Sequence, residues 1–212
     1  MVYTLPLIFG ITLHEMAYGW VAKKYGDNAT SNLSQLTLNP IKYIDLFGTI
    51  ILPAILAGIL LKTGTGFIFG WAKSVTVDPR NYTKPFRDSF IVALAGPVSN
   101  LLMAFFWALI IRLGTTISMN TDSELRWLIS MGFAGISINL SLAMINLLPI
   151  PPLDGSRMLA TILPRYWAWQ YNRLKPYGFY IVIALLYFNV INLLFDYPKF
   201  FAEKIFSSIA GL

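Results

Sequence analysis

Five long apolar runs divide this sequence, at residues 2–22, 47–61, 89–111, 128–150 and 178–195. A helix needs roughly 20 apolar residues to cross the ~30 Å hydrocarbon core of a bilayer. Inside that core each backbone polar group must find its partner within the helix itself. The runs therefore predict an all-α integral membrane protein, a bundle of about five to six segments. The run at 47–61 is short and carries Pro53, so it tilts, breaks or stops short of crossing. Gly96-Pro97 marks a kink in the first third of 89–111. Residues 199–212 read as an amphipathic helix lying in the membrane surface. The opening run has neither a basic leader nor a small-residue cleavage site, and reads as a first span rather than a signal peptide.

Composition agrees with this reading. Only 12% of the 212 residues are charged, against about 25% in soluble domains. The net charge is +6, with the basic residues placed between the apolar runs. That pattern suits a lipid bilayer as partner and does not suit nucleic acid. The basic residues divide almost evenly between the two sides, so they set no orientation. There is no cysteine, which excludes disulfides and thiolate metal sites. With no repeat and no linker, residues 1–212 read as a single domain.

One connection carries its own signal. Gly64, Gly66 and Gly70 precede Ser74-Val75-Thr76-Val77. Alternating β-branched and small polar residues predict a short strand, part of a small membrane-associated β-hairpin.

Strongly polar residues inside a span are costly, so each is a functional candidate. His14-Glu15 lies in the first run, followed by Met16, Ala17 and Tyr18. In an H-E-x-x-H helix, two histidines one turn apart bind zinc and the glutamate between them activates water. Here the fifth position is Tyr18, which still shares a face with His14. His14-Glu15 alone fits equally well an interfacial pair hydrogen-bonded to neighbouring helices. A second group runs from Asn146 to Asp154-Gly155, with Pro149, Pro151 and Pro152 between. Those prolines stop a helix at a fixed depth and leave Asp154 on irregular backbone. Asp154 then either faces a cavity as a metal ligand or lies in a solvated turn that caps the next helix. A third group, Ala95-Gly96-Pro97 with Ser99 and Asn100, reads as a kinked, closely packed scaffold.

In order along the chain these residues resemble the site-2 protease family of intramembrane zinc metalloproteases, in its small bacterial form without a PDZ domain. His14-Glu15 is similar to the start of that family's zinc helix. Leu36 to Pro40, Ile44-Asp45 and Phe47-Gly48-Thr49 resemble the stretch that follows. Phe69-Gly70-Trp71-Ala72-Lys73 resembles its hairpin, and Ala95-Gly96-Pro97 with Asn100 its third core segment. Asn146 to Gly155 matches N-x-x-P-x-P-x-L-D-G. The resemblance implies zinc ligands at His14 and Asp154, a general base at Glu15, and Asn146 orienting substrate or the oxyanion. It implies that Ser74, Val75, Thr76 and Val77 guide an unwound transmembrane segment of a substrate protein. It also implies a site enclosed by runs 2–22, 89–111 and 128–150, with Ser137, Asn139 and Asn146 lining a water channel. The expected location is the bacterial inner membrane.

The departures are equally specific. Tyr18 replaces the second histidine, and Tyr43 stands where relatives have histidine. Ser34-Gln35, Ser74, Thr76 and Ser156 also differ from the family pattern. The chain has one histidine, so it cannot assemble a two-histidine zinc site. Catalytic zinc takes three protein ligands and water. Tyr18 can be the third only as phenolate, some three units below its usual pKa of about 10. Zinc is therefore expected to be weakly bound, or absent if Tyr18 does not ligate. Three readings stand: a site-2-type zinc endopeptidase, a pseudoprotease that binds transmembrane helices without cutting them, and a small transporter or channel.

Overall fold

The computed structural model describes residues 2–27, 37–63, 70–121, 125–188 and 190–211. Eight α-helices run through these residues: α1 (Thr4–Lys24), α2 (Leu52–Thr63), α3 (Pro85–Thr121), α4 (Arg126–Leu147), α5 (Asp154–Ile162), α6 (Arg165–Asn172), α7 (Lys175–Tyr187) and α8 (Val190–Ala210). The stretches Pro85–Ser118 and Arg126–Leu147 are long and apolar enough to cross a membrane. Outward-facing Leu101, Leu102, Phe105 and Phe106 on α3, and Leu5, Leu7, Ile8 and Phe9 on α1, are exposed. So large an apolar surface is costly in water and suits lipid.

The centre is made by α1, α3 and α4, which pack on one another. Small residues bring α3 and α4 close. A side chain at Gly132 would run into Ile111, and one at Gly135 into the indole of Trp107. Ala104 and Ala108 are fully buried in the same seam. Without a hydrophobic drive between helices in lipid, such close backbone approach supplies the attraction.

Two expectations are corrected. The fifth run is not one helix: α7 closes at Phe188, whose N–H bonds the Ala184 carbonyl at 2.9 Å, and α8 starts at Val190. The two halves serve different partners. Gly178 lies directly against the Pro151 carbonyl, whereas α8 lays Ala202, Phe206 and Ala210 on the cluster of Trp107, Ile111 and Ile136. The C-terminal helix is thus packed on α3 and α4.

The β-hairpin is the second correction: no strand occurs among the described residues. Phe69, like Ser34, Gln35 and Leu36, lies outside them. What remains is a strand-like period without a strand partner. The N–H of Trp71 bonds the Gly48 carbonyl at 3.1 Å, and that of Lys73 the Tyr43 carbonyl at 2.9 Å. The N–H of Val75 bonds the Glu15 carboxylate at 2.8 Å. From Trp71 to Val75 the odd-numbered N–H groups face the protein, as alternation in an extended chain requires; at the end of the segment the Asp78 N–H bonds the Asp27 carboxylate at 2.8 Å. The acceptors are turns and side chains, not a second strand.

The Ile44-Asp45 and Phe47-Gly48-Thr49 motif builds the support for this segment. Asp45 accepts the Gly48 N–H at 2.6 Å and caps the π-helical turn Leu46–Ile51. Thr49 donates to the Trp71 carbonyl at 2.8 Å, and Gly48 leaves room for the Trp71 indole.

Candidate active site

His14 and Glu15 sit mid-way along α1, and Asp154 is the first residue of α5, just past the proline-broken end of α4. Turns of the chain hold that break: Ile150 N–H to the Leu148 carbonyl at 2.8 Å, and Leu153 N–H to Ile150 at 2.9 Å. Tyr171 of α6 donates to the Pro149 carbonyl at 2.7 Å. Asp154 is not a solvated cap. It is 8% exposed, and its Oδ2 stands 3.0 Å from His14 Nε2.

On the other side of the ring, His14 Nδ1 lies 2.9 Å from Asn100 Oδ1. Asn100 Nδ2 reaches Asn139 Oδ1 at 3.4 Å, and Asn139 Nδ2 donates to the Gly135 carbonyl at 2.9 Å. Gly96 is what lets α3 come so near, since any Cβ there would collide with the imidazole. The sequence placed Asn100 in a scaffold and Asn139 in a water channel. Asn100 is fully buried, in keeping with a packed scaffold, and so, unlike a channel wall, is Asn139; the two form a hydrogen-bonded chain behind the histidine. The available signal was their cost: an amide inside an apolar run must find partners.

Glu15 points toward the 70–78 segment, accepting from Val75 N–H and, at 3.4 Å, from the Ser74 hydroxyl. Tyr18 is buried one turn below His14, with the Arg157 guanidinium 5.1 Å from its ring centre, a cation–π distance. Tyr18 and Arg157 also line a cavity of about 490 Å³ with Ser156, Tyr82, Phe86 and Lys175. Tyr43 is structural: its hydroxyl donates to the Thr37 carbonyl at 3.0 Å. Ser156 donates to Leu153 at 2.7 Å. Asn146 lies apart from the pair in its bonding, its amide donating to the Leu142 carbonyl one turn back in α4 at 3.0 Å.

The donor set fits two corners of a metal site. Two ligands of one tetrahedral zinc, each about 2.0–2.1 Å from it, stand about 3.3 Å apart, close to the 3.0 Å between His14 Nε2 and Asp154 Oδ2. Asp154 Oδ2 is buried and has no donor beside it other than His14 Nε2, so when Nε2 lacks a proton that oxygen calls for a cation. Among the described residues no group of three or more His, Cys, Asp or Glu gathers around one point. The third corner therefore depends on Tyr18 or water.

The zinc metalloprotease YwhC of Bacillus subtilis (strain 168), whose full name reads "Putative zinc metalloprotease YwhC", is 36% identical over 85% of this chain and 78% of its own length. The chain belongs to peptidase family M50. The profile described as Peptidase family M50 matches residues 111–189, which hold α4 and the Asp154 turn. Rip2 of Mycolicibacterium smegmatis, given the same kind of name, is 30% identical over 87% of this chain and 66% of its own length. MJ0611 of Methanocaldococcus jannaschii, also so named, is 30% identical over 75% and 71%. No solved structure gives a significant match. As an M50 chain with apolar, membrane-length helices, it is an integral membrane protein of site-2 protease type.

Proposed function

We propose that this M50 chain is an intramembrane endopeptidase of site-2 type, with zinc held weakly by His14 and Asp154, acting on a transmembrane segment of a substrate protein in a bacterial inner membrane. The observation that carries the reading is the 3.0 Å approach of His14 Nε2 to the buried Asp154 Oδ2. Bound there, zinc would polarise the scissile carbonyl and acidify a water molecule. The chain's own residues supply the rest. Glu15, next to His14 on α1, is the base that takes the proton of the attacking water. Asn146 supplies an amide N–H to the developing oxyanion after leaving the Leu142 carbonyl. A helical substrate must unwind before its carbonyl reaches the pair. The 70–78 segment offers an edge for the extended form: odd N–H groups bond inward, so those of Ser74 and Thr76 face out. Neither has a hydrogen-bond partner among the described residues. A groove of about 450 Å³ is lined by residues 41–44 and 73–76.

A second reading, a pseudoprotease that binds the same segment without cutting it, is favoured by one observation. Tyr18 occupies the third ligand position with its ring under Arg157. A guanidinium there opposes a nearby divalent cation through charge repulsion. The transporter reading has no comparable support.

The test is zinc content and cleavage of a transmembrane reporter by the purified chain and by Tyr18→His. Zinc and cleavage in both establish the peptidase. Gain of both only in Tyr18→His establishes the pseudoprotease. No zinc in either, with no effect of Asp154→Ala, removes the metal site altogether.

A further inference from the structure

The chain of hydrogen bonds behind His14 ends on a group with one chemical sense. A backbone carbonyl accepts and never donates. Asn139 must therefore turn its NH₂ toward Gly135, at 2.9 Å. That leaves Asn139 Oδ1 facing Asn100, which must answer with its own NH₂ across the longest link, 3.4 Å. Asn100 is left presenting Oδ1 to the imidazole at 2.9 Å, and an oxygen there requires the ring proton on Nδ1. We propose that Asn139 and Asn100 are positioning residues, a one-way relay that holds a proton on His14 Nδ1, so that in the singly protonated ring Nε2 faces Asp154 without one.

The surroundings are shaped for this. Both amides are 0% exposed, so water cannot substitute for a wrongly turned partner. Reversing any one link sets two donors or two acceptors face to face in a buried site, and the cost of an unpaired buried polar group resists it. Gly10 on α1 leaves the room that the first amide fills: a Cβ there would lie 2.9 Å from Asn139 Oδ1. Gly96 on α3 does the same for the ring. Each glycine stands one turn before the polar residue of its own helix, Gly10 before His14 and Gly96 before Asn100.

The consequence bears on the site. A neutral Nε2 lone pair aimed at a carboxylate oxygen repels it unless a cation lies between them. The relay thus biases the His14–Asp154 pair toward metal and away from a simple hydrogen bond, the role that partners of a ligating histidine's other nitrogen commonly play. That consequence rests on the zinc reading above, whereas the tautomer itself does not.

His14 is the single histidine of the chain, so ¹⁵N-histidine labelling of the full protein gives one imidazole to read. Metal-free protein in detergent or nanodiscs is measured at a pH where the ring carries one proton. The expected spectrum has a protonated Nδ1 and an unprotonated Nε2. Asn139→Leu removes the acceptor that orients Asn100, so the ring proton moves to Nε2 and donates to Asp154. Asn139→Asp, its fully buried carboxyl protonated and donating to the Gly135 carbonyl, retains that acceptor and keeps the parent tautomer. Circular dichroism checks the folding of each variant, and Asn139→Ala replaces the leucine variant if it does not fold. An Nε2-protonated parent overturns the relay. So does an unchanged tautomer in folded Asn139→Leu, or a tautomer change in Asn139→Asp that matches it. Zinc titration of the same samples separates the two claims: a zinc affinity about 10–100-fold lower in Asn139→Leu supports both. The expected tautomers with no zinc binding in any sample support the relay and overturn the metal reading.

Discussion

The carboxylate of Glu15 holds the backbone N–H of Val75 at 2.8 Å. The residue proposed as base is thereby also an anchor of the 70–78 segment. These roles separate chemically. Glutamine at this position still accepts the Val75 N–H but cannot take a proton from water. Glu15→Gln is expected to keep the thermal stability of the parent and abolish cleavage of a transmembrane reporter. Glu15→Ala is expected to lose about 1.5–3 kcal/mol as well, the worth of a hydrogen bond to a charged group. Thermal unfolding in detergent, read beside the cleavage assay, checks both.

Gly96 faces the imidazole so closely that an added Cβ would overlap it. In a helix alone, alanine is better than glycine by about 1 kcal/mol. The overlap reverses the sign here, because both helices are packed and the ring has nowhere to retreat. Gly96→Ala is expected to destabilise by about 1–3 kcal/mol and to weaken zinc binding. Unfolding and metal titration measure the two effects separately.

The seam between α3 and α4 makes a related prediction away from the chemistry. Gly132 lies under the Ile111 side chain, and Ile111 is fully buried. Gly132→Ala is expected to cost about 1–3 kcal/mol through overpacking. In an Ile111→Ala background Gly132→Ala should cost less, because the second change removes Cγ1, the side-chain atom nearest the new methyl group. A double-mutant cycle in unfolding free energy checks the coupling.

Asp45 caps the turn that seats Trp71, through its 2.6 Å bond from Gly48 N–H. Asp45→Ala is expected to lose about 1 kcal/mol, and Asp45→Asn to keep most of the parent stability, as N-caps generally do. Hydrogen exchange at residues 46–51 should rise in the alanine variant only.

Much of the scaffold was legible because lipid leaves little choice. An apolar run without internal partners for its backbone must be helical, and the runs at 2–22, 89–111 and 128–150 correspond to α1, α3 and α4 within a few residues at most ends. The exception is α3, which continues to Thr121. The proline cluster after Asn146 ended α4 at Leu147 for an equally local reason. The run at 178–195 was misread because hydropathy is blind to a change of packing partner part-way along. The 74–77 alternation was read correctly as period two and wrongly as sheet. Alternation reports how a chain is extended, whereas its hydrogen-bond acceptors lie elsewhere in the sequence.

By itself, the sequence determined that the chain is helical and membrane-bound, and that one imidazole is all it can offer a metal. Those properties belong to short stretches and to composition, so they survive without knowledge of the fold. The resemblance implied that His14 meets Asp154, but only the tertiary structure decided that Asn100 stands on the other side of the ring, and that Asn139 is a partner of Asn100 rather than a channel wall. Such pairings join α1, α3, α4 and α5 across distances in sequence that no periodicity spans, and close packing of glycine against ring and amide selects among them.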